Sequence, residues 1–362
     1  MEFIDLKKQY QLYQPHIDGR IRQVLDHGKF IMGPEIEEME HALAKYVGVD
    51  RCISVANGTC SLEIALRALD IGPGDEVLTV PFTWISSAEV ISLVGARPVF
   101  VDIELETYNI DVAKVESSIT TNTKAIIAVS LFGQMPDYEA LNAIANKHGI
   151  TVIEDAAQSF GATQHGKRSC SVTTISSTSF FPAKPLGCFG DGGALFTSNS
   201  ELASKMSAIR THGGLKRHHH PYVGMNGRMD TLQAAIVLAK LPYFEEEVRL
   251  RGEIGARYSS MLTDHCPVPT IQNGNTHVYA QYTIRVPNRD ELGVRLKEKG
   301  IPSAVYYPKC MHEQPVFSNL GYKYGDFPAA EKASLEVISL PMHPFLTEHD
   351  QNTIVDAVTA CL

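Results

Sequence analysis

The chain has 362 residues, 44% of them hydrophobic, enough for one large core or for a large domain with a smaller one packed on it. Its formal charge of −9, with no long run of lysine and arginine, excludes the basic stripe that nucleic acid requires. The seven cysteines are scattered without a C-x-x-C pair, and no apolar stretch reaches the ~18 residues of a membrane span, so a cytoplasmic protein without a metal site is expected.

From residue 51 to 197 short β-branched runs alternate with helical patterns, as in a sheet covered by helices. Strands are expected at 51–55, 76–80, 98–101, 124–129, 151–154, 175–179 and 194–197. Helices are expected at 60–69, 86–94, 138–147 and 201–211, each bounded by Gly, Pro, Asn or Asp. Residues 231–262 read as a long helix broken at Pro242. Beyond it come strands at 278–286 and 303–306 and helices at 292–299, 329–337 and 347–360, which together suggest a compact α+β lobe.

The segment 176–197 carries the densest chemistry: Lys184 lies between SFFPA and PLGCFGDGG. An apolar, crowded setting disfavours the ammonium and frees the amine to attack an aldehyde. On its own, the segment reads more readily as a surface loop with a snorkelling lysine. Upstream, Asp155 ends a strand and places a carboxylate where open α/β sheets bind ligands, suited to a protonated pyridine nitrogen. Gln158, one turn on, is suited to the phenolic oxygen of the same ring, although Asp155 alone would also serve as a helix cap.

Asn57-Gly58-Thr59 joins a strand to a helix, offering donors at a helix N-terminus for a phosphate, with Ser179 as a second donor. Trp84, the only tryptophan, follows another strand in PFTWISSAEV, where it can stack on a flat cofactor or pack in the core. Four separate segments therefore ask for the same ligand, pyridoxal 5'-phosphate (PLP).

Through NGT, PFTW, EDAAQSFGA and SFFPAKPLGCFGDGGAL the chain resembles the DegT-type nucleotide-sugar aminotransferases over essentially its whole length. The resemblance implies a fold-type I PLP enzyme: an α/β large domain with a mostly parallel mixed sheet over residues 1–240, and a smaller C-terminal α+β domain over 241–362. It implies Lys184 as the Schiff-base and proton-shuttling lysine, Asp155 on the pyridine nitrogen, Gln158 beside the phenolic oxygen and Trp84 on the ring. Gly58, Thr59 and Ser179 would hold the phosphate, with Asn226 reaching the partner's cofactor across a homodimer.

FIDLKKQ, HGKFIMGPEI, RHHH and SLPMHPFL look like the branch that aminates UDP-2-acetamido-2-deoxy-3-oxo-glucuronate for bacterial surface polysaccharides such as O-antigen, with L-glutamate as donor. In that branch Arg228 would clamp the uronate, with Tyr307 and His312 lining the sugar pocket and Gly28 near the nucleotide. The chain departs from it at three presumed sugar contacts: Phe30 for a common tyrosine, Ala183 for serine and Tyr306 for histidine. Such swaps leave another UDP- or dTDP-keto-sugar open as substrate.

A dehydratase of the same fold would replace the lysine at 184 by histidine. Gly190-Asp191-Gly192-Gly193 is not a dinucleotide loop, because Leu195 stands where its third glycine belongs and a strand follows. A non-catalytic, PLP-binding regulator would not need Lys184, Asp155 and Gln158 together.

Overall fold

The strand TKAIIAV is apolar on both sides, which only a sheet with helices on each face can satisfy. In the computed structural model, which describes residues 1–362, it lies inside a seven-stranded mixed sheet. Strands β1 (Arg51–Val55), β2 (Glu76–Thr79), β3 (Arg97–Phe100), β4 (Thr123–Val129) and β5 (Thr151–Asp155) come first. A small hairpin of β6 (Thr163–Gln164) and β7 (Lys167–Arg168) follows, then β8 (Ile175–Ser179) and β9 (Gly193–Thr197). The order is β1-β9-β8-β5-β4-β2-β3; β3, β2, β4, β5 and β8 run parallel, and β9 runs antiparallel to both β8 and β1.

Eleven α-helices surround and extend this sheet: α1 (Leu6–His27), α2 (Pro34–Val47), α3 (Gly58–Ala68), α4 (Ser86–Leu93), α5 (Val112–Val115) and α6 (Tyr138–His148), then α7 (Ser200–Arg210), α8 (Thr231–Leu262), α9 (Arg289–Glu298), α10 (Pro328–Glu336) and α11 (Glu348–Thr359). On one face Ile53, Ile127, Ile153 and Leu195 pack against Ile64 of α3, Ile91 of α4 and Met206 of α7. On the other, Ile126 and Val152 meet Leu141 of α6, while Phe196 meets Met39 and Leu43 of α2 and Val237 of α8. Because side chains alternate across a strand, Glu154 and Asp155 point to opposite faces.

The seven large-sheet strands match the sequence reading to within a residue or so. Four expectations change. The helix over 231–262 is unbroken at Pro242. Proline removes one backbone donor there, but Tyr13 stacks on Tyr243 at 4.2 Å and Gln9 Nε2 donates to both oxygens of Glu247 at 3.0 Å, pinning the helix beyond it to α1. In the C-terminal lobe the strand at 278–286 shortens to β10 (Tyr282–Arg285), because Val278 N–H donates instead to Gly133 O at 3.0 Å. The strand at 303–306 is reduced to a single bridge, Ala304 to Ser339. The partner of β10 is β11 (Val337–Leu340), whose first residue the sequence reading had assigned to a helix.

This lobe has its own core, with Tyr258 of α8, Ile284, Leu296, Leu340, Ile354 and Val358. The helix α8 crosses from the large sheet's layer into it, so residues 240 and 241 lie inside one helix. No helix is long and apolar enough to cross a membrane.

Candidate active site

The carboxyl ends of β2, β5 and β8 and the N-terminus of α3 meet at one end of the sheet. The strand β5 ends at Asp155, which is 7% exposed. Its Oδ2 accepts from Ser87 Oγ at 2.8 Å and its Oδ1 from Ala157 N–H at 3.2 Å. Burial pushes this carboxyl above the usual carboxylate range, against the pull of those donors and of the Lys184 charge. Lys184 sits in the loop between β8 and β9, where burial pushes its ammonium down and Asp155 opposes that shift. The two groups sense one another across a space otherwise poor in charge.

Gln158 has a defined orientation. Its Oε1 accepts from Phe132 N–H at 2.7 Å, so the amide nitrogen is the edge left to donate. That Nε2 reaches Tyr307 Oη at 3.1 Å. Tyr307 is half-buried, and its ring lies 6.1 Å from that of Phe82 and 6.2 Å from that of Trp84. Trp84 is 60% exposed, so the core-packing alternative for it does not hold.

The α3 N-terminus is capped by Asn57 Oδ1, which accepts from Cys60 N–H at 2.8 Å. Thr59 Oγ1 pairs with Ser86 Oγ at 2.7 Å, and Ser179 Oγ accepts from Phe181 N–H at 3.2 Å. A Cβ on Gly58 would stand 2.9 Å from Ser179 Cβ, and one on Gly193 2.7 Å from the Asn57 carbonyl carbon, so both positions require glycine. Gly58, Thr59 and Ser179 thus converge at a helix N-terminus, a setting that favours a phosphate.

The remaining residues divide into two groups. Phe30 O accepts from Thr231 N–H at 3.0 Å, Gly33 N–H donates to Thr231 Oγ1 at 3.0 Å, and Ile31 bridges to Asp230. Phe30 is thereby brought beside the segment of Arg228, with Gly28 (φ +68°) ending α1 just before it. Arg228 is half-buried and its Nε has no hydrogen-bond partner; Asn226 is exposed. Tyr306 is half-buried, its ring 6.4 Å from Phe3. His312 lies apart from all of these: it is buried, with Nε2 3.1 Å from Glu331 and its ring 4.8 Å from Phe327, facing the core.

The residues present fit PLP. A buried carboxylate awaits a cation, a desolvated amine suits an aldehyde, and a glycine-lined helix N-terminus suits a phosphate beneath an exposed indole. Residues 13–359 match the DegT/DnrJ/EryC1/StrS aminotransferase family. The chain belongs to that family. It is a PLP-dependent aminotransferase of fold type I.

UDP-2-acetamido-2-deoxy-3-oxo-D-glucuronate aminotransferase of Pseudomonas aeruginosa is 51% identical over 360 residues, covering 99% of each chain. Among solved structures, a DegT DnrJ EryC1 StrS aminotransferase from Brucella abortus is 40% identical, with a TM-score of 0.96 over 99% of each chain. NtdA from Bacillus subtilis with bound cofactor PMP is 30% identical, with a TM-score of 0.88 over 96% of this aminotransferase and 82% of NtdA.

Two contacts escaped the sequence reading. Ser87, which holds Asp155, stands three residues after Trp84 in the motif already singled out, and that serine pair was the available signal. Phe132, which orients Gln158 from a left-handed conformation (φ +59°), carries no local signal at all.

Proposed function

We propose that this aminotransferase converts UDP-2-acetamido-2-deoxy-3-oxo-D-glucuronate and L-glutamate into UDP-2-acetamido-3-amino-2,3-dideoxy-D-glucuronate and 2-oxoglutarate, in the cytoplasm, for a bacterial surface polysaccharide. The observation that carries the substrate is the 51% identity over 99% of both chains with the Pseudomonas enzyme of that name. The half-buried Arg228, its Nε unpartnered, supplies a cation for the uronate in a protein of net charge −9.

In this reading Asp155 faces the pyridine nitrogen, Gln158 Nε2 donates to the phenolic oxygen, Trp84 covers the ring, and Gly58, Thr59 and Ser179 hold the phosphate. When bound, PLP supplies the conjugated electron sink that lets an amino acid's α-carbon ionise. Lys184 Nζ, whose ammonium burial disfavours, takes the α-proton of glutamate and in the second half-reaction returns a proton to the former carbonyl carbon of the sugar. Burial pushes the Asp155 carboxyl up, and a cation facing it would favour its charged form.

A homodimer belongs to the same reading: exposed Asn226 reaches the partner's cofactor phosphate, and Arg228 the partner's substrate. We take 1–240 as the large PLP-binding domain and 241–362 as the small one. Gly28, Phe30, Tyr306 and Tyr307 line the substrate side; His312, expected there too, is buried against Glu331 and Phe327.

The test is incubation of the PLP-loaded enzyme with glutamate and a panel of UDP- and dTDP-keto-sugars, with products read by mass. The 3-oxo-glucuronate should be aminated fastest. Turnover of a neutral sugar with none of the uronate would overturn the substrate assignment.

A further inference from the structure

Behind the Lys184 loop lies a second buried lysine. Lys240, on the third turn of α8, is 2% exposed, and its Nζ donates to the carbonyl oxygen of Gly187 at 2.7 Å. The same ammonium stands 4.5 Å over the ring of Phe189. Burial pushes it down to about 8, against the opposing pull of Glu247 and Cys188. A buried cation whose hydrogen-bond partner is a backbone carbonyl is poorly compensated, and an apolar side chain of the same length would fill the space at lower cost. Packing alone therefore does not account for it.

What Lys240 grips is the turn that carries Lys184. The chain doubles back there: Lys184 N–H donates to Phe181 O at 2.8 Å and Cys188 N–H to Phe180 O at 2.7 Å. A Cβ on Gly187 would collide with the carbonyl oxygens of Phe181 and Pro182, so the two limbs of the turn are in contact and move together. The helix α8 holds this turn at two points, through Lys240 at Gly187 and through Gln233 Oε1, which accepts from Phe189 N–H at 2.9 Å. Glu247, which faces Lys240, is itself held by Gln9 of α1.

We propose that Lys240 is a positioning residue for Lys184: gripping Gly187 O and capping Phe189, it fixes the turn that aims the Lys184 amine. The proposal rests on Lys184 being the residue that condenses with PLP. It assigns Lys240 no contact with cofactor or substrate.

The test adds PLP to apoenzyme and follows the absorbance rise as the Lys184 amine forms a C=N bond and the aldehyde oxygen leaves as water. Borohydride reduction and peptide mass then locate the adduct. In Lys240→Met the rate of bond formation and kcat should each fall ~10- to 100-fold, with KM for glutamate within ~3-fold, because a displacement of about 1 Å is costly in an oriented site. Lys240→Arg, which keeps a cationic donor, should recover most of the loss. The melting temperature of Lys240→Met is read beside these rates, because the variant leaves the Gly187 carbonyl without its donor and Glu247 without its cation.

Wild-type bond formation in folded Lys240→Met overturns the proposal, as does a Lys240→Arg variant no faster than Lys240→Met. Should Lys240→Met not fold, Lys240→Gln supplies the same comparison. An adduct on a lysine other than 184 in the wild type would overturn the reading of Lys184 itself; an adduct at 184 with Lys240 variants unimpaired overturns the positioning role alone.

Discussion

At the carboxyl ends of β5 and β8, polar groups are held within the chain. Asp155 has Ser87 and Ala157, Gln158 has Phe132 and Tyr307, and Thr59 has Ser86. In the segments around residues 30 and 228, by contrast, Arg228 keeps an unpartnered Nε, Asn226 is exposed, and Phe30, Ile31 and Met32 are 47%, 52% and 42% exposed. In the proposed reading the cofactor side is preorganised inside one protomer, and the substrate side is left open. The difference suggests a division of labour: chemistry shared by a whole family is built into one chain, while substrate choice sits on loops and, in the dimer reading, on the neighbouring copy.

The largest break in this contrast is Lys184→Ala, which should lower turnover ~10⁴-fold or more and abolish borohydride-trappable PLP, as loss of a covalent catalyst does. Next, Asp155→Asn removes charge but not shape and should cost ~10²- to 10³-fold in kcat, in the range of a lost electrostatic stabiliser. Turnover of either variant at wild-type rate would show that the built side of the cleft is not where the chemistry occurs.

The other face of β5 offers a thermodynamic probe of the same strand. Glu154 is fully buried, accepting from Ser169 Oγ at 2.6 Å and Cys170 N–H at 2.8 Å, and burial pushes it up to about 7. The folded state then holds a proton that the unfolded chain has released, so stability should fall as pH rises from about 4.5 to 7 and level off above that. The loss is at most about 3 kcal/mol. Denaturant unfolding of Glu154→Gln against pH should lack this component, and identical pH slopes in the two proteins would refute it.

The smallest effect belongs to the open side. Arg228→Ala should raise KM for the uronate sugar ~10- to 100-fold and leave a neutral UDP-keto-sugar nearly unaffected, as expected for one charge-assisted bidentate contact. Unchanged discrimination would remove Arg228 from substrate recognition and leave the cofactor assignments standing.

The residues proposed to face the cofactor could be singled out because their signals are local: Gly58-Thr59 opens a helix, Asp155 closes a strand, and Lys184 sits among glycines and aromatics. The large-sheet strands were legible because buried parallel strands read as continuous apolar runs. The helix α2 went unread although Ile36, Met39, Leu43 and Val47 recur at helical spacing between Gly33-Pro34 and Gly48. The helix α1 gives less warning, since Pro15 lies inside it and much of its support comes from α8, more than two hundred residues away. Tertiary contact likewise overrode the expected break at Pro242. The bonds from Ser87 and Phe132 exist only once distant segments meet, which no local pattern encodes.

The pairing of β1 with β9 has a consequence for how the molecule is made. Residues 51–55 are hydrogen-bonded to residues 193–197, and α1 and α2 lie against the helix of 231–262. As the chain leaves the ribosome, its first fifty-five residues therefore wait for partners at 193–197 and 231–262, and the loop they must close is long. The segment bearing Lys184 connects β8 to β9, so the event that ends this wait also shapes the turn that presents the amine. The pairing that seats the N-terminal strand also frames the turn that bears Lys184.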